Sequence, residues 1–195
     1  MNYAQLQSNI AGWLHRSDLT AQIPTFIELA EARLNRDLRV AQMEDRATAT
    51  VDGDYLELPS DFQSVRSITT SSIPIAYINP QRFDEFKGWG YTPYPPVYTI
   101  ASGALRILPT PSVAAPLAIE MIYYASLPPL ATYSTNWLLV DAPDLYLEAA
   151  VCEGLKYLKD PAWAEWDAQA VASLNNLRSQ SNYLNFGAPV AVRAG

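Results

Sequence analysis

Apolar residues return every three or four positions at the start of the chain. Tyr3, Leu6, Ile10, Trp13 and Leu14 share one face of a first helix that fades at His15 to Ser17. A second helix follows after a short loop at Ser17–Ala21, with Ile23, Phe26, Ile27, Ala30, Leu34 and Leu38 as its apolar stripe. Pro24 falls in the first turn, where amides lack partners in any case. The opposite face carries Glu28, Glu31, Arg33, Arg36 and Arg39, and its cations gather at the end where the helix dipole favours them. A loop this short makes the two helices an antiparallel pair.

The period then changes to two. Ala47–Val51 and Asp54–Leu58 alternate on either side of Asp52-Gly53, a pair that favours the positive φ of a type I′ turn and predicts a hairpin. Further strands are expected at Val65–Ile68, Ile73–Ile78, Val97–Ala101, Leu105–Leu108 and Leu117–Tyr124, with a turn at Ser102-Gly103. Asn79-Pro80 reads as a cap and first-turn proline opening a short helix through Phe86. Eleven of the fifteen prolines lie between Pro59 and Pro129, which excludes long helices there. Helical periodicity resumes at Asp141-Ala142-Pro143, read as cap and first turn, with Leu145, Ala149, Cys152 and Leu155 inward and Lys156 and Lys159 closing. Asp160-Pro161 repeats the signal ahead of Trp163, Trp166, Ala170, Leu174 and Leu177. The segment after Asn185 is small and apolar without a helical period.

These elements predict an α+β chain: a helical bundle formed by the N-terminal and C-terminal helices, with an inserted antiparallel β-sheet or small sandwich. The expected divisions are residues 1–45, 46–140, 141–184 and an extended tail over 185–195. A chain of 195 residues can bury about 70% of its unfolded surface, so its core needs neither disulfide nor metal. One cysteine and one histidine cannot make an internal disulfide or a clustered Cys/His zinc site, and a carboxylate-only metal site stays open. No cofactor motif is found, and no phosphate-binding glycine loop. No apolar run is long enough to span a bilayer and no basic n-region precedes one, so the chain is expected on the cytoplasmic side. Its net charge of -7 argues against tight, charge-driven DNA binding.

Candidate chemistry is sparse. His15 at a helix end reads as a donor to free carbonyls, and Cys152 on an apolar stripe reads as a buried structural thiol. Asp144 and Glu148, one turn apart, have a spacing that glycoside hydrolysis could use, but a solvated helical face has it too. The unusual stretch is Phe83 to Tyr98, with Phe86, Trp89, Tyr91 and Tyr94 among glycines and prolines. Such a stiff aromatic loop either packs on its own sheet or presses on a partner. The tail with Phe186, Val190, Val192 and Arg193 is read as a partner-seeking segment, by adding a strand or filling a groove. Arg33, Arg36 and Arg39 either pair across subunits or solvate a helix.

The run Ile23-Pro-Thr-Phe-Ile-Glu-Leu-Ala-Glu-Ala-Arg-Leu-Asn-Arg-Asp-Leu-Arg39 resembles the second helix of head-to-tail adaptor proteins of short-tailed bacteriophages. The Ala-Thr-Ala-Thr strand, Leu58-Pro-Ser-Asp-Phe62, Pro143-Asp-Leu-Tyr-Leu-Glu-Ala-Ala150 and Leu155-Lys-Tyr-Leu-Lys-Asp160 are similar to that family as well. The resemblance spans about residues 3–183, in order. It implies a non-enzymatic structural virion protein at the head-tail junction, made in the host cytoplasm. It also implies a ring, expected to be twelve-fold, that binds the portal, receives the tail nozzle or tube and lets viral double-stranded DNA pass without sequence-specific contact. No membrane is involved. The tentative partner surfaces are then Trp89, Tyr91 and Tyr94, the Arg33/Arg36/Arg39 face, and the tail residues Phe186, Val190, Val192 and Arg193. Two readings from other classes remain: a carbohydrate-binding module that stacks sugars on Trp89, Tyr91 and Tyr94, and a peptidoglycan-lytic enzyme using Asp144 and Glu148.

Overall fold

A computed structural model describes residues 1–186. The chain is α+β and forms two compact units, a helical one from residues 1–42 with 127 onward, and a sheet unit from Met43–Ser126.

In the helical unit, α1 (Tyr3–Trp13) opens with a capping box. Asn2 accepts from the Gln5 amide at 2.9 Å, and the Gln5 side chain accepts from the Asn2 amide at 3.0 Å. The helix closes on His15 in the left-handed region at φ 50°. There the His15 and Arg16 amides donate to the carbonyls of Gly12 and Ala11, each at 3.2 Å, the pair of bonds of a Schellman end. The donor to free carbonyls is thus the backbone of His15, and its imidazole is exposed. Helix α2 (Ile23–Asp37) buries Ile23, Phe26, Ile27, Ala30 and Leu34. Phe26 and Leu14 press on Gly154, where an added Cβ would lie 3.3 Å from Phe26 Cδ2 and 2.8 Å from Leu14 Cδ1. A side chain there would force Leu14 and Phe26 to move.

The expected helix start at Asp141 is corrected. A short α4 (Trp137–Asp141), capped by Asn136, precedes it, so Asp141 ends one helix and Ala142 occupies the next cap without a side-chain bond. Helix α5 (Pro143–Leu158) buries Leu145, Tyr146, Ala149 to Cys152, Gly154 and Leu155. It ends at Lys159, again left-handed, with the Lys159 and Asp160 amides on the carbonyls of Lys156 and Leu155. Asp160 then accepts from Ala162 at 2.9 Å, and α6 (Trp163–Phe186) starts three residues after it.

Glu31 departs from the expected polar face of α2: it is 8% exposed. Its Oε1 accepts from the Leu130 amide at 2.9 Å and from the Tyr146 hydroxyl at 3.2 Å. Asn136 donates to that hydroxyl at 2.7 Å and to the Pro128 carbonyl at 2.9 Å, while Asn35 takes the Leu127 amide at 2.8 Å. The chain re-enters the helical unit by these bonds, between buried Leu127 and Leu130.

In the sheet unit, β1 (Glu44–Val51), β3 (Phe62–Thr70), β4 (Ile73–Pro74) and β8 (Leu117–Ala125) form one sheet in the order β1-β8-β3-β4. A second has the order β2-β7-β6-β5, from β2 (Leu56–Glu57), β5 (Ala76–Tyr77), β6 (Val97–Ala101) and β7 (Ala104–Leu108). All pairs are antiparallel except β5 with β6. Val51, Ile68, Ile75, Tyr98, Leu105, Ile107, Ile119, Met121 and Tyr123 form the core.

The hairpin expected at Asp52-Gly53 does not form, because its two strands enter different sheets. Val51 pairs with Leu117 while Leu56 pairs with Leu105, and neither turn residue has a positive φ. An eight-residue register on β8 outweighs the local turn preference. Left-handed pairs occur instead at Ser102-Gly103 and at Ser71-Ser72, which joins β3 to β4 without a glycine. The expected strand Ile73–Ile78 is also divided. Buried Ile75 carries the chain from one sheet to the other, its amide donating to the Ile68 carbonyl at 3.0 Å.

Helix α3 (Pro80–Gly88), capped by Asn79 on the Arg82 amide, packs buried Phe83 toward β6 and β7. Arg106 of β7 holds it there, its guanidinium 4.5 Å from the Phe83 ring centre and 3.0 Å from Asp84.

Replacing Glu31 by alanine leaves two buried donors without an acceptor and is expected to cost about 1–3 kcal/mol in chemical denaturation. Glu31→Gln keeps an acceptor oxygen and is expected to stay within about 1 kcal/mol of wild type. Burial raises the Glu31 carboxyl above its ordinary value. The folded chain therefore binds this proton more tightly than the unfolded one. That contribution is complete below the unfolded value of 4.5 and is lost as pH rises through the folded value. Wild type should accordingly lose stability relative to Glu31→Gln as pH climbs out of the mid-4s.

Candidate functional site

The aromatic stretch divides into a part that holds the sheet unit together and a part that faces out. Phe83 and Tyr98 are buried. Trp89, Tyr91 and Tyr94 are 68%, 53% and 84% exposed, which is large for side chains of this area. The end of α3 places two of them. Gly90, at φ 67°, donates to the Lys87 carbonyl at 3.1 Å and Tyr91 to that of Phe86 at 2.9 Å. This Schellman end brings the residue after the turn onto the last apolar residue of the helix. Accordingly the Tyr91 ring meets Phe86 edge-on, with centres 4.9 Å apart, and Trp89 tilts at 44° to it at 6.2 Å. Arg82 lies over both rings, 4.4 Å from Phe86 and 5.5 Å from Trp89, and pairs with Glu85 at 3.0 Å. The result is an aromatic ledge with one cation on it. Composition indicates the aromatic cluster, whereas the place of Arg82 over it is set by helical spacing, with Phe86 four residues ahead in α3 and Trp89 at its cap.

Arg33 and Arg36 of α2 and Arg39, two residues past its end, do not act together. Arg33 pairs with Asp167 of α6 at 2.6 Å, both half-buried. Arg39 caps the helix end, donating to the Asn35 carbonyl at 2.8 Å and to that of Leu38. Arg36 alone of the three projects from the exposed face without a partner among the described bonds. In the tail, Phe186 closes α6, while Val190, Val192 and Arg193 lie outside the described residues.

Asp144 and Glu148 share a groove in the helical unit with Trp13, Leu147, Glu165 and Trp166. The two indoles pack edge-to-face with centres 5.2 Å apart, and Trp13 is 56% exposed although its spacing placed it on the apolar face of α1. Burial raises the Glu148 carboxyl, Ser173 opposes that by hydrogen bonding, and the Asp144 charge adds to the rise. Its Oε2 is buried without a hydrogen-bond partner. The pairing of α5 with α6 is local, but nothing local announces that Trp13 of α1, about 130 residues earlier, completes the groove. Cys152 is buried beside it in sequence, its thiol 3.5 Å from the Trp163 carbonyl and raised in pKa by burial.

Exposed aromatic and charged surfaces on two well-packed units are the equipment of a protein that docks on others. A family model described as SU10 adaptor protein matches residues 1–193, and the chain belongs to that family, consistent with a phage head-to-tail adaptor and a structural role. No curated protein matches it. Among the described residues no helix is long and apolar enough to cross a membrane.

Trp89→Ala is expected to change stability by less than about 0.5 kcal/mol, because the ring is mostly in solvent. Phe83→Ala should cost about 3–5 kcal/mol, and urea denaturation of the two variants side by side measures the difference.

Proposed function

We propose that this chain is the subunit of a ring that joins the portal to the tail nozzle or tube and lines the channel through which the genome leaves. The family match over residues 1–193 carries this reading, because it takes in both the helical and the sheet unit. In this arrangement the helical unit packs between neighbouring copies and under the portal. The segment from Phe186 onward extends onto the portal or the next subunit, and the aromatic ledge with Tyr94 faces the tail. Trp89 and Tyr91 suit that role: rigid rings give much contact area at small entropic cost. The chain's net charge of -7 suits a channel from which phosphates are repelled.

The test is to mix the purified full chain with the portal ring from the same genome and to count bound copies by native mass measurement. A stoichiometric ring on one portal face is the expected result, and absence of binding at micromolar concentration with the portal intact would overturn it. Deleting Phe186 onward should abolish portal attachment without unfolding the chain. Trp89→Ala with Tyr94→Ala should weaken nozzle recruitment and leave the portal contact in place.

A further inference from the structure

Helix α2 carries a second stripe that its own bundle does not use. At 100° per residue, Thr25, Leu29, Ala32 and Arg36 fall on the side opposite the buried Ile23, Phe26, Ile27, Ala30 and Leu34. All four are exposed, and Leu29 shows half of its surface to solvent. From Leu29 to Arg36 the stripe covers about 10 Å, two turns, with apolar side chains first and a guanidinium last.

The groove between α1, α5 and α6 has the complementary chemistry. Trp13, Leu147 and Trp166 offer apolar surface, Asp144, Glu148 and Glu165 rim it, and no basic residue lines it. A planar guanidinium, with five donors and a face that stacks on indole, suits such a lining better than any other side chain.

We infer that the Leu29–Ala32–Arg36 stripe of one copy docks in the Trp13–Leu147–Trp166 groove of the next, with Arg36 among the Asp144, Glu148 and Glu165 carboxylates. The occupant is a second copy of this chain because opposite charge and matching apolar surface lie on one unit. The stripe is a helix face presenting anchors at i, i+3 and i+7, the pattern by which a helix fills a groove. Two different surfaces meeting in this way make a heterologous contact, the kind that closes into a ring. The inference rests on the ring reading above and supplies the subunit contact that reading lacks.

Single-cysteine placements test it in the full-length chain. One preparation carries Arg36→Cys and the other Glu165→Cys; native Cys152 is buried and stays in both. The two are mixed with the portal ring and oxidised. A disulfide joining the two variants, in excess over either variant joined to itself, is the expected outcome. A complete ring on the portal without that mixed disulfide would overturn the groove contact and leave the ring reading intact. Absence of any ring with wild-type chain would remove both.

Charge reversal gives a second readout. Arg36→Glu, at an exposed position that should leave Tm unchanged, is expected to weaken ring assembly by about tenfold, and adding Glu165→Lys should restore it. Equal assembly by Arg36→Glu and wild type would also overturn the contact.

Discussion

A carboxyl group with no ion pair among the described residues lies inside the helical unit, and the architecture of that unit follows from how Glu31 is satisfied. Burying a charge is expensive unless hydrogen bonds replace its water. Here an amide of the returning chain and a tyrosine hydroxyl from α5 converge on one oxygen, and Asn136 completes the chain of bonds while capping α4. One acidic residue thereby ties α2 to two segments about a hundred residues further on, the strand-to-helix return and α5. An apolar residue at 31 would pack against them without specifying where the return segment lies. The bonds give that segment a register, which the unit needs because its chain is interrupted by residues 43–126.

Much of this architecture is legible along the chain, and the misses have a common cause. The stripes of α2 and α5, the cap at Asn79 and strands β6 to β8 follow from periodicity and local chemistry that no tertiary contact overrides. Asp52-Gly53 has better type I′ credentials than Ser71-Ser72, yet the turn forms at the serines. β8 offers β1 eight paired residues and β3 a second ladder, and those partners outweigh a dipeptide's preference. Helix ends show the same limit. Gly90 marks the end of α3 visibly, whereas His15 and Lys159 adopt the same left-handed geometry with a Cβ in place and carry no local sign of it. Glu31 lies at the border of the apolar stripe, and only the partners brought by residues 130 and 146 decide that it faces inward.

Legibility falls further at the surfaces. A cluster of aromatic residues can be seen in the composition of residues 83–98, but not which rings the core takes. That is decided by Arg106, which spends its guanidinium on Phe83 and leaves Trp89, Tyr91 and Tyr94 outside. Arg33, Arg36 and Arg39 look alike in sequence and have three different fates, because Asp167 reaches Arg33 and carbonyls at the end of α2 take Arg39. The acidic groove is assembled from residues about 150 positions apart in the chain, with Trp13 against Trp166, so no window of sequence contains it.

The chemistry left on the exterior bears on how an adaptor can be stored before it is used. A large apolar interface would drive copies together as soon as they are made. Surfaces rimmed by charge behave differently: they steer encounter and fix register, while solvent and salt keep each single contact weak. The contact proposed for Leu29, Ala32 and Arg36 with a carboxylate-rimmed pair of indoles would be of that kind. A template that arranges many copies side by side raises the effective concentration of each surface for its neighbour, and closure of the ring adds one contact with no further entropy of association. Weak heterologous contacts would therefore suit a ring subunit of the kind proposed, held apart in solution and made continuous where a template collects it.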